Sequence, residues 1–293
     1  MSQTATRVYL GKKDAFPGWW VVGGCFAVLF FGSSLGFYGM GVYLNAFSKE
    51  FDWNISSLSV ATTFFFLVGG LWNVVVARLM ARFDVRYIIY GGAIVGAGSL
   101  YMLGHVTQKW HLFLVYGVFA IAWSSSGLTA ATTVVTRWFH TQRASAIAAA
   151  SSGLSVGGIV LTPIVKKLID AREVSGASWI LALMWLVGMS LPTFLLIRPD
   201  PLALNWMPDG EPKLDNHISE LPGTDLHVAI KTKFFWVVTI GYVLVMGSQV
   251  GAIQQIVKLV EERTTPGTAA LATSVLSGSS VVFRLVGGRI IPK

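Results

Sequence analysis

Long apolar runs alternate along this chain with short polar connections. They fall at about Pro17–Asn45, Leu58–Val76, Tyr87–Leu103, Leu112–Val135, Ala144–Val165 and Trp179–Ile197, then at Phe234–Ile256 and Leu271–Gly287. About 20 apolar residues in a helix cross a hydrocarbon core of about 30 Å. The pattern therefore predicts an all-α, polytopic membrane protein with six spans, a break, and two more. A membrane barrel would show alternating segments of about 10 residues instead. The break, Arg198–Lys233, is the long stretch in which charges and prolines outweigh apolar residues. Pro199, Pro201, Pro208, Pro212 and Pro222 deny most of it a continuous helix, because each lacks a backbone donor and fixes its own φ.

Composition agrees with that reading. Hydrophobic residues make up 54% and charged residues 12%, against the roughly 25% charge of a soluble domain. The net charge of +8 could suggest nucleic acid, but in a membrane protein it reads first as the positive-inside bias. With the N-terminus placed in the cytoplasm, inner segments hold fifteen lysines and arginines and outer loops seven. Both termini and the linker are then cytoplasmic, in a multi-pass protein of the cell inner (plasma) membrane. Cys25 is the single cysteine, so no intrachain disulfide forms and no cysteine metal site is suggested. The polar first sixteen residues precede a first span that reads as an uncleaved anchor.

Within the spans, small and polar residues carry most of the information. Gly32 and Gly36 form a GxxxG face in span 1, with Gly39 and Gly41 beyond; helix packing or flexibility would use them. Asn73 in span 2 is an amide that needs partners in hydrocarbon. Arg78, Arg82 and Arg86 recur every four residues and are expected to stack on one helical face. The segment Ser48–Ser59 is expected to be a polar turn. Gly92 and Gly96 give span 3 a second GxxxG. Ser125, Thr129, Thr132 and Thr136 form a hydroxyl stripe, bonded to helix carbonyls or lining a water-filled path. Span 5 opens ASAIAAASSGLSVGG and calls for close helix neighbours, whereas span 6 is plainly apolar and expected at the periphery.

Six spans, a polar linker and the start of another set have the rhythm of an internally repeated transporter. The two parts share FPGWWVV with KFFWVV at the start, and ARLMAR with GRIIPK at the close. A shift of 211 residues lays Asn73 over Arg284 and Ala77 over Gly288. At this point the chain resembles the major facilitator superfamily. Its signature after spans 2 and 8 is a small residue, three spacers, Asp, a basic residue, Gly and a basic residue. Ala77, Ala81, Arg82, Asp84 and Arg86 stand at those places, with Ala81 for the acid and Asp84 for the glycine. The second copy keeps Gly288, Pro292 and Lys293. The resemblance implies a gating role for Ala77, Arg82, Asp84, Arg86 and Gly288, in a latch that here lacks its acid. Within the superfamily the chain is most similar to the bacterial monocarboxylate-porter and oxalate/formate-antiporter group. That similarity rests on GWWVV (Gly18–Val22), GFYGMGVYLNAFSKEFDW (Gly36–Trp53), RWFHTQRASAIAAASSG (Arg137–Gly153), PDGEP (Pro208–Pro212) and AIKTKFFWVV (Ala229–Val238). Tyr38 stands where animal members carry a lysine.

Arg284 is the most informative side chain. Thr273, Ser277, Ser280, Arg284 and Gly288 give span 8 a polar face ending in a cation. A charge inside a span costs about 2.5 kcal/mol or more. Either Arg284, about 6 Å above Gly288 at helical rise, reaches the interface, or it serves a site. The resemblance favours the second, because the group's proposed carboxylate partner is an arginine four residues before this glycine. A planar guanidinium suits a carboxylate through two parallel hydrogen bonds. Gln249 and Gln255 of span 7, Tyr38 and Tyr43 of span 1, Asn73, Ser277 and Ser280 complete the polar candidates. No Asp or Glu lies inside the eight spans, and His105, His111, His140, His217 and His227 fall in loops or at span ends. Proton relay is not visible, so anion exchange, or coupling through helices outside this chain, is expected. Nothing resembles a catalytic dyad, nucleotide loop or metal cluster, which argues against an enzyme and against any cofactor.

The expected protein is a secondary active transporter, an antiporter of small organic anions (mono- or dicarboxylates), working by alternating access. Residues 1–197 form an N-terminal six-helix bundle, 198–233 a cytoplasmic linker and 234–293 a partial C-terminal bundle of a C-terminally truncated chain. Its expected partners are the anion and membrane lipid, not nucleic acid, and a monomer is compatible with the sequence. Another solute, a transport-dead sensor or a membrane-embedded enzyme stand as alternatives.

Overall fold

The structure, a computed structural model, describes residues 16–198, 200–204, 206–210, 226–263 and 266–290. Among these residues every regular element is helical. The chain divides into two compact units, Met1–Pro212 with Gly278–Lys293, and Lys213–Ser277.

In the first unit, α1 (Gly18–Gly32), a π-helical turn (Ser33–Phe37) and α2 (Gly39–Phe51) carry the first apolar run. Then come α3 (Ile55–Arg82), α4 (Val85–Leu103), α5 (Lys109–Ser125), α6 (Leu128–Trp138) and α7 (Arg143–Leu195). Among the described residues, four segments are long and apolar enough to cross a membrane: Gly18–Phe51, Ile55–Arg82, Lys109–Trp138 and Arg143–Leu195. The last holds 53 residues and leaves the helix at Glu173 (φ 59°), so it contains two helices, matching the fifth and sixth apolar runs. Helix α4, with 19 residues, is about 29 Å long at helical rise.

Helices overrun the apolar runs because the backbone still needs hydrogen bonds where the side chains turn polar. The Ser48–Ser59 turn accordingly shrinks to Asp52–Asn54, and Asn54 caps α3 by accepting from the Ser56 amide at 2.8 Å. The single face expected for Arg78, Arg82 and Arg86 does not form. Phe83 is extended, and Asp84 starts a new helix by accepting from the Arg86 amide at 2.9 Å. An Asp cap competes successfully with helix continuation there. Arg86 therefore belongs to α4, apart from Arg78 and Arg82.

Small residues set the packing. A Cβ at Gly153 would collide with the Phe26 carbonyl, and one at Gly157 with the Phe30 carbonyl. These contacts advance together, so α1 and the first half of α7 run parallel, as odd-numbered crossings should. Gly36 abuts the Trp123 indole, which donates to the Gly32 carbonyl at 3.0 Å. Packing thus accounts for Gly32 and Gly36. The sixth apolar run is peripheral on one face only. Leu181, Trp185 and Met189 are fully buried, while Trp179, Leu183, Leu191 and Phe194 are exposed. Gly96 makes room for the Trp185 indole, which donates to the Gly92 carbonyl at 3.2 Å.

One end of this unit gathers the charged connections. Arg137 donates to the Met80 carbonyl at 3.0 Å, and the Trp138 indole to the Arg198 carbonyl at 2.9 Å. Phe16 packs on Trp138, Phe139 and Trp206 with ring centroids 5.6–5.8 Å apart. The linker residue Asp209, itself left-handed (φ 62°), holds the connection that leads into α7. Its carboxylate accepts from the amides of His140 (2.9 Å), Thr141 (2.6 Å) and Gln142 (3.2 Å). Burial raises the Asp209 carboxyl, but these N–H donors outweigh it and hold the group below the usual carboxylate range.

The second unit holds α8 (Leu226–Ala229), α9 (Lys233–Arg263) and the opening turns of α10 (Pro266–Ile290). Thr232 caps α9 by accepting from the Phe235 amide at 3.2 Å.

Candidate functional site

Span 8 brings its polar face to α7. Gly288 approaches Ala144 and Ala148 so closely that a Cβ would sit 2.6 Å from the Ala148 methyl, and its carbonyl accepts from Ser145 Oγ at 2.7 Å. One turn earlier, the Arg284 guanidinium donates to the Ser151 carbonyl at 2.8 Å. Another turn earlier, Ser155 Oγ lies 3.4 Å from Ser280 Oγ. Positions fall along α10 as they rise along α7, so the seam is antiparallel, as the alternation of crossings requires. Ala144, Ala148 and the serines make the seam possible, because only small side chains leave a helix carbonyl within reach of a neighbour.

Arg284 therefore sits partly buried among helices, spending one of its five N–H donors on the Ser151 carbonyl. Tyr38 meets the same α7 surface further along, where a Cβ at Gly158 would touch its ring at 2.6 Å. Ser151, Ser155 and Gly158 share one face of α7, and the structure thus gathers Arg284, Ser280 and Tyr38 along it. Next to them lie the buried Ser33 and Ser34, whose hydroxyls a Cβ at Gly157 would meet at 2.6 and 2.7 Å. Ser33 Oγ donates to the Leu154 carbonyl at 2.8 Å. Within the π-helical turn that begins at Ser33, the Leu35 carbonyl accepts from the buried Tyr43 hydroxyl at 2.9 Å.

The other candidates separate. Asn73 is taken up by Thr129, whose hydroxyl donates to its Oδ1 at 3.1 Å. The hydroxyl stripe is broken at Ser126–Gly127, and Thr132 and Thr136 bond carbonyls of their own helix. Gln249, partly buried, and the backbones of Gln255 and Ser277 belong to the second unit. The side chains of Gln255 and Ser277, and Pro292 and Lys293, lie outside the described residues.

At the connection between α3 and α4, Asp84 accepts from Arg86 Nε at 2.9 Å and Nη2 at 2.6 Å. Burial raises the Asp84 carboxyl, but the hydrogen bonds from Arg86 and the charges of Arg86 and Arg137 hold it below the usual range. Ala77 and Arg82 are exposed on α3, and Gly288 is buried in the α7 seam. The sequence reading overlooked Ser145, Ser151 and Ser155, although ASAIAAASSGLSVGG places hydroxyls at helical spacing. It also overlooked Asp209, whose signal is the PDG turn early in the linker.

Residues 26–293 match the sequence profile of the Major Facilitator Superfamily. The chain belongs to that superfamily. Curated relatives include the MFS transporter asaE of Aspergillus flavus, 27% identical over 94% of this chain and 61% of that protein. The Fujikurins efflux protein of Gibberella fujikuroi is 27% identical over 52% of the chain and 31% of its own length. The riboflavin transporter MCH5 of Saccharomyces cerevisiae is 24% identical over 63% and 36%. The chain thus spans about three fifths of the first relative's length. Superfamily membership agrees with the all-helical, multi-pass architecture, and the relatives named here are transporters.

Proposed function

We propose that the protein is a secondary transporter that exchanges small organic anions, mono- or dicarboxylates, by alternating access. The observation that carries this reading is Arg284, a cation held between helices beside the hydroxyls of Ser155 and Ser280. A carboxylate offers that guanidinium a charge-assisted partner better than a neutral carbonyl. Arg284, Ser280 and Tyr38 form the proposed anion subsite on α7. Gln249, Gln255, Ser277 and Asn73 stay proposed substrate contacts on sequence grounds alone. The proposed division is a six-helix bundle over residues 1–197, a cytoplasmic linker over 198–233 and a partial second bundle over 234–293.

A second reading has support from the relatives whose names state a cargo, fujikurins and riboflavin. It is transport of a larger organic solute, with Arg284 binding one acidic group of it. Proteoliposomes holding the transporter that carries this chain, preloaded with oxalate or lactate, separate the two. Saturable exchange of labelled oxalate or lactate is the expected result. Exchange of neither, with uptake of riboflavin, would replace the first reading by the second.

A further inference from the structure

Helices α3 and α4 are joined by only Phe83 and Asp84, and each packs along α5, yet they diverge from one another. The divergence leaves a groove of about 420 Å³. Leu79 of α3 and Phe83 of the joint line it with Tyr87, Gly91 and Val95 of α4, over a floor that includes Ile121. The groove is apolar, because the polar atoms beneath it serve one another. The Trp72 indole donates to Ser125 Oγ at 3.3 Å, and Ser125 donates to the Ile121 carbonyl at 2.8 Å. Tyr87, Gly91 and Val95 repeat every four residues and so share one face of α4. At its middle, a Cβ on Gly91 would meet nothing within 4 Å.

Basic residues adjoin the closed end of the groove in sequence. Arg86 is committed to Asp84 in a 2.6 Å ion pair. Arg78 and Arg82 are exposed and adjoin Leu79 and Phe83 in sequence, and neither has an ion pair among the described residues. Tyr87 and Phe83, both largely exposed, stand at this end, where aromatic rings favour the headgroup level. A helix about 10 Å across does not fit between two helices joined by two residues. An extended acyl chain does, and a negatively charged headgroup complements the two arginines.

We propose that this groove binds an anionic phospholipid, with one acyl chain lying between α3 and α4 and the phosphate over Arg78 and Arg82. The proposal is independent of the transported solute. The apolar walls hold the chain by area, and the arginines select the headgroup by charge. Each basic residue near an anionic headgroup favours it about fivefold.

Native mass spectrometry of the purified 1–293 chain, with equal amounts of phosphatidylglycerol and phosphatidylcholine of the same acyl chains, tests this. Wild type should retain phosphatidylglycerol over phosphatidylcholine by about fivefold or more. The double variant Arg78→Gln/Arg82→Gln should keep bound lipid but lose the preference. Gly91→Phe, which fills the groove, should lower retention of both lipids while the melting temperature without lipid is unchanged. Gly91→Leu serves the same purpose should the phenylalanine variant unfold. Equal retention of the two lipids by wild type, a preference surviving in the double arginine variant, or undiminished retention in both folded Gly91 variants would each overturn the proposal.

Discussion

An ionised carboxylate at a helix start satisfies backbone N–H groups that have no partner within the helix, and it also lies at the positive end of the helix dipole. The side chain of α7's own N-cap, Gln142, does not do this; Asp209 reaches in from the linker to the Gln142 amide and to those of His140 and Thr141 just before it. Asp209→Ala should cost about 1 kcal/mol, read as a lower melting temperature of the purified protein, and Asp209→Asn should cost less because one acceptor remains. The Asp209 carboxyl is held below its ordinary value. Its contribution is therefore fully present above the unfolded carboxylate value of about 3.9 and fades as pH falls through the folded value. Wild type and Asp209→Ala should converge in stability as the buffer is taken below about pH 4. A gap that stays constant with pH would show that the carboxylate charge plays no part.

At the scale of helices, close approach rests on glycines whose hydrogens face a neighbour's backbone. Gly157→Ala pushes a methyl into the Phe30 carbonyl and the Ser33 and Ser34 hydroxyls, and overpacking of this kind costs about 1–3 kcal/mol. Gly70 of α3 faces open space, so Gly70→Ala should be neutral or stabilising by up to about 1 kcal/mol. Equal melting temperatures for the two variants would contradict the α1–α7 packing. The existence of the helices was legible because 20-residue apolar runs have one outcome in lipid. Their ends were less legible, since Asp84 can cap a helix as readily as sit inside one, and the arginine spacing ignored that competition. The seam with α10 was half legible. Arg284 and Ser280 stood out as polar residues in an apolar run, but Ser145, Ser151 and Ser155 blended into a stretch of alanines. Which helix faces them is a tertiary fact that periodicity does not carry.

For the whole molecule, parallel α1–α7 contacts and the antiparallel α7–α10 seam agree with crossings that alternate in direction. The hydrogen bonds of Arg137, Trp138 and Asp209 place the basic connections at one end of the first unit. We propose that this end, with both termini and the linker, faces the cytoplasm, as the loop charges favour. In a Cys25→Ala background, His217→Cys should resist an impermeant thiol reagent added outside intact cells, and strong labelling would reverse the orientation. The proposed function rests on Arg284. The most direct measurement is the affinity of the purified transporter for oxalate in wild type and in Arg284→Lys, with Arg284→Gln alongside. Lysine keeps the charge but loses the planar fork. One lost charge-assisted bond, worth about 1.5–3 kcal/mol, predicts affinity weakened about tenfold or more, and Arg284→Gln should be weaker still. A lysine variant that binds oxalate as tightly as wild type would contradict a carboxylate site at Arg284 and leave that residue a cation reaching for the interface.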